Sequence, residues 1–175
     1  MAERLFYTEL DSPTGTLTLV ASERALVAVW WDLGEELPSG LREAVRNDSH
    51  PILLQTARQL QEYFDGARQQ FDVPLDPRGT DFQKKVWMAL RQIPFGQTRS
   101  YGQIARQIGT PSASRAVGAA NGKNPIPIIV PCHRVIGANG TLTGFGGGLE
   151  NKALLLKLEG VTIPGEQPVL AFNPA

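Results

Sequence analysis

Three scarcities mark this 175-residue chain: one cysteine, two histidines, and no acidic residue from Phe82 to Leu149. A lone Cys132 excludes a disulfide framework and any zinc site built on several thiolates, and it fits a reducing compartment. No apolar run approaches the roughly 18 residues of a membrane span, and Met1-Ala2-Glu3-Arg4 opens no signal-like segment. The expectation is a cytoplasmic protein with no membrane partner. The missing acids weigh more. Net charge is zero, yet residues up to Arg78 carry −6 and those from Gly79 onward +6. The acid-free span holds Lys84, Lys85, Arg91, Arg99, Arg106, Arg115, Lys123 and Arg134. An ordinary solvated surface intersperses Asp and Glu, so this asymmetry points to a nucleic-acid face joined to an acidic lobe.

The chemistry concentrates in Asn124-Pro125-Ile126-Pro127-Ile128-Ile129-Val130-Pro131-Cys132-His133-Arg134-Val135-Ile136. Its prolines exclude a helix and stiffen the approach to the sulfur. The aliphatic residues place Cys132 at the floor of a pocket. A cysteine in such company is often inert packing. Against that stand His133, a possible base, and Arg134, a cation that would favour thiolate. Neighbours in an extended strand point apart, so Cys132 and His133 cooperate only across a bend or a bridging water.

The length accommodates one domain or two small ones. The boundaries expected are an α+β domain over 1–73, a linker over 74–79, a mostly α domain over 80–163 and a Pro-rich, loosely held tail over 164–175. Leu5–Thr8, Leu17–Ala21 and Leu26–Trp31 read as a three-stranded antiparallel meander. Asp32–Ser49 reads as a mobile crossover with a helical piece near Leu41–Val45. A helix from Pro51 to Asp65 has Leu53, Ala57, Leu60 and Phe64 on one stripe. His50 reads as an exposed turn residue. Thr80 with Gln83, and Ser100 with Gln103, are capping-box patterns opening two further helices. Gly109-Thr110-Pro111 then leads into a helix over Ser112–Asn121, a helix-turn-helix pattern.

On that last helix Ala113, Ala116, Val117 and Ala120 form a core stripe, while Arg115 projects among Gly118, Ala119 and Gly122. So bald a face suits close approach to a duplex; the alternative is a small-residue helix packed inside, with a buried partner for Arg115. A glycine-rich loop, Gly144-Phe145-Gly146-Gly147-Gly148, follows the cysteine and lacks the Lys-Ser/Thr element of a phosphate loop. A final helix, Asn151–Glu159, reads as burying Leu154, Leu155 and Leu158. Glu159 sits at its C-terminus, where the helix dipole disfavours a carboxylate, so a cation is expected nearby, with His133 a candidate.

Pro131-Cys132-His133-Arg134-Val135, with Arg115-Ala116-Val117-Gly118 and Asn124-Pro125 upstream, resembles the O6-alkylguanine-DNA alkyltransferase family over about residues 80–160. The resemblance implies a ribonuclease H-like N-terminal domain, a winged-helix-like C-terminal domain, alkylated double-stranded DNA as partner, no cofactor, no metal and no obligate protein partner. It implies single-turnover transfer of an alkyl group from a flipped-out guanine to Cys132. His133 would take the thiol proton through a water and Glu159 would orient His133. Tyr101 would donate to the base, backbone groups of Cys132 and Val135 would read its amino group, and Asn124 would brace the turn. Arg115 would fill the vacated stack, with Ser112, Ala116, Gly118 and Ala119 around it against the minor groove. Val135, Phe145, Gly146, Met88 and Pro127 would form the substrate pocket.

At Phe145-Gly146 the family often has tyrosine then serine or alanine, so here only the Gly146 N–H can serve. A glycine wall also implies room for bulkier O6-alkyl groups, and for O4-alkylthymine. Two rivals remain at this level: a damage-binding sensor that does not react, and a cysteine hydrolase that turns over.

Overall fold

The computed structural model describes residues 3–163, so the Pro-rich tail expected from residue 164 lies outside the described residues. Strands β1 (Phe6–Ser12), β2 (Gly15–Ala21) and β3 (Leu26–Trp31) form the antiparallel meander read from the sequence. A fourth strand, β4 (Val45–Arg46), adds parallel to β1, giving a mixed sheet in the order β3-β2-β1-β4. The helical piece expected near Leu41–Val45 is absent. Leu41 and Ala44 instead pack on Leu5, Val20, Val27 and Ala28, closing one face of the sheet with a turn. Burial of those few apolar side chains decides the crossover's path, and it leaves Val45 free to pair.

Helix α1 (Pro51–Phe64) covers the other face, with Leu53, Leu60 and Tyr63 inside. His50 is not an exposed turn residue. It is 6% exposed, stacks on Phe6, and caps α1 by accepting the Ile52 N–H on Nδ1.

Both capping boxes are made, at the starts of α2 (Asp81–Leu90) and α3 (Tyr101–Gln107). Helix α4 (Ser114–Gly122) begins two residues later than its sequence pattern suggested. A two-residue parallel pair, β5 (Arg99–Ser100) with β6 (Val135–Ile136), ties the start of α3 to the segment after the cysteine. The last helix, α5 (Leu149–Leu158), buries Lys152, Leu155 and Leu156; Leu154 and Leu158 are only partly covered.

One continuous core joins the halves: Leu17, Leu19 and Trp31 from the sheet meet Trp87, Leu90, Ile104 and Ile126. Polar ties add register. The Val29 N–H donates to the Pro125 carbonyl, and Asn151 Nδ2 to the Thr14 carbonyl. No helix of the described residues is long and apolar enough to cross a membrane.

Candidate active site around Cys132

Residues 125–131 form bends and turns rather than a strand. Asn124 holds them: its Nδ2 donates to the Val130 carbonyl (2.8 Å), and its Oδ1 accepts the Ile126 N–H (3.0 Å). Within this arch the buried Ile128 sits at φ 73°, a left-handed conformation costing a β-branched residue about 1–3 kcal/mol. Tertiary packing offsets that strain. After Pro131 the chain makes a single 3-10 turn, Cys132–Arg134. The prolines thus exclude an α-helix but not this turn, and Cys132 and His133 stand on a bend.

His133 is completely buried, with Nε2 2.6 Å from Glu159 Oε2. Tyr63 donates its hydroxyl to the same oxygen (2.6 Å). Arg134 forks onto both carboxylate oxygens, Nε to Oε1 (2.8 Å) and Nη2 to Oε2 (3.0 Å), and donates Nη1 to the Ile93 carbonyl. The Gly96 N–H completes the set on Oε1. Gly96 lies at φ 80°, and a Cβ there would come 3.1 Å from the Glu159 carbonyl, so the close approach requires glycine.

Burial works against ionising Glu159, but bonds and charge from His133 and Arg134 outweigh it and hold the carboxyl down at about 2. Burial lowers the His133 pKa and so favours the neutral ring, against the opposing pull of Glu159. With Nε2–H donating to the carboxylate, the basic lone pair is on Nδ1, a buried atom with no hydrogen-bond partner among the described residues. Burial also raises the Tyr63 hydroxyl, helped by Glu159, so it stays a donor.

Cys132 is 4% exposed, and burial pushes its thiol up to about 11 against Asn124, Lys152 and nearby backbone N–H groups. The expectation that Arg134 would favour thiolate fails, because that guanidinium is committed to Glu159. The cation acting on the sulfur is Lys152, wholly buried, whose Nζ donates to the carbonyls of Val135 (2.7 Å) and Thr143 (2.9 Å). Burial brings its ammonium down to about 8, opposed by Cys132. Sequence reasoning missed Lys152, although it precedes Leu155 and Leu156 by three and four residues and so lies on the apolar stripe. It also missed Tyr63, three residues from Leu60 on the buried face of α1.

Cys132, Pro127, Phe145 and Gly146 line one cavity of about 430 Å³ together with Asn121 and, from the N-terminal half, Trp30, Leu33, Pro38 and Leu41. Phe145 packs edge-on against Trp31, and Gly147 lies so close that a Cβ would stand 2.7 Å from the Trp31 ring. Val135 is fully buried and is not among the residues that line this cavity. Tyr101 shares a 2.7 Å hydrogen bond with Thr143 Oγ1. Met88 does not belong to the pocket: α2 buries Val86, Trp87, Ala89 and Leu90, which turns Met88 to solvent at 67% exposure.

Along α4, Arg115, Ala116 and Ala119 are exposed, as is Ser112 just before it, and Gly118 faces the Tyr101 ring. Ala116 therefore leaves the core stripe expected for it; Asn121 joins Val117 and Ala120 inside. The Trp87 Nε1 bond to the Ala120 carbonyl (2.8 Å) fixes that rotation. Arg115 is exposed and has no interior partner among the described residues, which removes the packed-helix alternative. Among the described residues no group of His, Cys, Asp and Glu could hold a metal.

One consequence is local. Tyr63→Phe removes one donor from a carboxylate that keeps its other partners, so unfolding free energy should fall by about 1–2 kcal/mol in denaturant titration.

Residues 81–161 match the family model for the 6-O-methylguanine DNA methyltransferase DNA-binding domain, and residues 5–77 match its ribonuclease-like domain. A methylated-DNA–protein-cysteine methyltransferase of Methanosarcina acetivorans is 51% identical over 89% of this chain and 99% of that protein. The constitutive one of Bacillus subtilis is 45% identical over 90% and 96%. The crystal structure of the Mycobacterium tuberculosis O6-methylguanine methyltransferase superposes with a TM-score of 0.83 at 49% identity, covering 93% of this chain and 96% of that one. A structure of the M. tuberculosis protein in complex with DNA gives 0.81 at 50% identity, covering 88% and 92%. Two family models spanning both halves and relatives near 50% identity settle the assignment: the chain belongs to the methylated-DNA–protein-cysteine methyltransferase family.

Proposed function

We propose that this protein repairs duplex DNA by moving one alkyl group from O6 of guanine onto Cys132 and then remains alkylated. The observation that carries the reading is the sole thiol on a cavity wall beside a buried imidazole held by Glu159. The flipped base enters that cavity. His133 Nδ1 takes the thiol proton through a water, and the Glu159 carboxylate, held in place by Arg134, balances the imidazolium. The sulfur attacks the alkyl carbon, the C–O6 bond breaks, and guanine leaves with the electron pair. Tyr101, exchanging Thr143 for the base, offsets the charge that builds on it. Asn124 keeps the arch that presents the sulfur. Arg115, on the exposed small-residue face of α4, fills the vacated stack, with Ser112, Ala116, Gly118 and Ala119 allowing close approach to the minor groove.

The division at residues 74–79 separates a DNA-contacting, reacting half from an N-terminal half that walls the cavity. A free nucleophilic thiol supports a reducing, cytoplasmic location. Weighing the intact protein after incubation with an O6-methylguanine duplex tests the reading. One added methyl mass, lost in Cys132→Ala, supports it. Tight binding without a mass change would identify a sensor, and repeated turnover a hydrolase.

Gly146, Leu33, Pro38 and Leu41 line the same cavity of about 430 Å³ as Cys132. Single-turnover rates on O6-benzylguanine and O6-methylguanine duplexes are therefore expected within about tenfold of each other. Strong rejection of benzyl would refute the wide pocket.

A further inference from the structure

We infer that Tyr63, from the N-terminal half, is a positioning residue for the reaction: by sharing the Glu159 oxygen that His133 uses, it keeps the imidazole uncharged and free to take the thiol proton. The inference rests on the alkyl-transfer reading above. Tyr63 lies in the last turn of α1, 96 residues from Glu159 in sequence, and is fully buried against it. Phe64, Phe71 and Phe95 hold its ring, at centroid distances of 5.4, 5.6 and 6.2 Å. The hydroxyl donates to one atom, Glu159 Oε2, at 2.6 Å. His133 Nε2 stands on that same oxygen, also at 2.6 Å.

Two short donors on one oxygen divide its charge. The more negative Oε2 is, the more it stabilises an imidazolium on His133, and a second donor draws that charge away. The groups facing the ring act in opposite senses. Glu159 favours its charged form, while Arg134 from the same turn, Lys152 from α5 and burial oppose it. Arg134 is tied to the carboxylate as an ion pair, and the Gly96 N–H bonds the other oxygen, Oε1. Tyr63 is thus the uncharged donor that meets His133 at Oε2. Its loss leaves the ion pair with Arg134 in place and changes only how that oxygen is shared. Through this bond α1 reaches the reacting chain of residues, so the N-terminal half does more than wall the cavity.

The test compares the native protein with Y63F, which keeps the ring and removes the donor. With only two histidines in the chain, imidazole NMR follows His133 directly across pH, and single-turnover transfer from an O6-methylguanine duplex gives the acid limb of the rate. In Y63F both midpoints are expected to move together to higher pH, by about half a pH unit or more. Y63M serves the same comparison if Y63F does not fold. Leu60→Val, which loosens the buried face of the same helix without touching Glu159, should leave both midpoints in place. Midpoints unchanged or lowered in Y63F would overturn the inference, leaving Tyr63 a purely structural bond. So would an equal shift in Leu60→Val. A native protein that transfers no alkyl group would instead refute the repair reading, while the NMR midpoints still report whether Tyr63 tempers His133.

Discussion

Glu159→Gln is expected to destabilise the protein by about 3–5 kcal/mol and to slow alkyl transfer by roughly 100-fold or more. The carboxylate accepts from Tyr63, His133, Arg134 and Gly96 at once. An amide presents its NH2 to some of those donors and leaves the Arg134 guanidinium buried without a counter-charge. The cost is that of breaking a buried pair, not the net worth of the pair. The acid limb supplies a signature. Glu159 has a folded pKa of about 2, below its ordinary 4.5, so its contribution is complete above about 4.5 and disappears as pH falls through about 2. The Gln variant has no such group, and the stability gap between the two proteins should narrow across that window. A gap that stays constant there would show that Glu159 is not the ionised hub.

Lys152→Met is expected to reduce the transfer rate by about 10- to 100-fold, with a smaller effect on stability. Methionine fills the same apolar volume on α5 and removes a desolvated charge, which offsets the two hydrogen bonds lost. Those bonds hold Val135, next to the reacting turn, and Thr143, the partner of Tyr101 in the free protein. The charge also acts on the sulfur, pulling down a thiol that burial pushes up. Single-turnover kinetics and a urea titration separate the two effects. A variant that unfolds readily yet reacts at the native rate would reduce Lys152 to a structural role.

Much of this was legible where local chemistry decides. The Thr80 and Ser100 capping boxes, the meander and the exposed face around Arg115 follow from short-range rules, and the structure carries all of them. The unfavourable position of Glu159 at a helix C-terminus also pointed to a cation. It did not reveal that Arg134 takes that place beside His133, because the contact joins residues 25 apart in sequence. What stayed hidden was mostly burial. His50 and Lys152 are polar side chains held inside by specific partners, and polarity alone put His50 at the surface. Met88 and Ala116 failed in the opposite sense: Met88 lies off the face of α2 that buries Val86 and Leu90, and Ala116 off the face of α4 that buries Val117 and Ala120, so both are exposed. β4 is too short to leave a pattern and exists because β1 offers it an edge.

The central claim is that a protonated, buried Cys132 becomes nucleophilic only by giving its proton to neutral His133. The pH dependence of the single-turnover transfer rate tests it most directly. The rate is expected to rise with pH on the acid side, below the ordinary imidazole range, as His133 loses its proton, to level off near neutrality, and to fall above about 8 as Lys152 loses its charge. A rate that instead climbs about tenfold per pH unit from about 7 to 10 would track an unaided thiol ionising near 11, and would contradict the account.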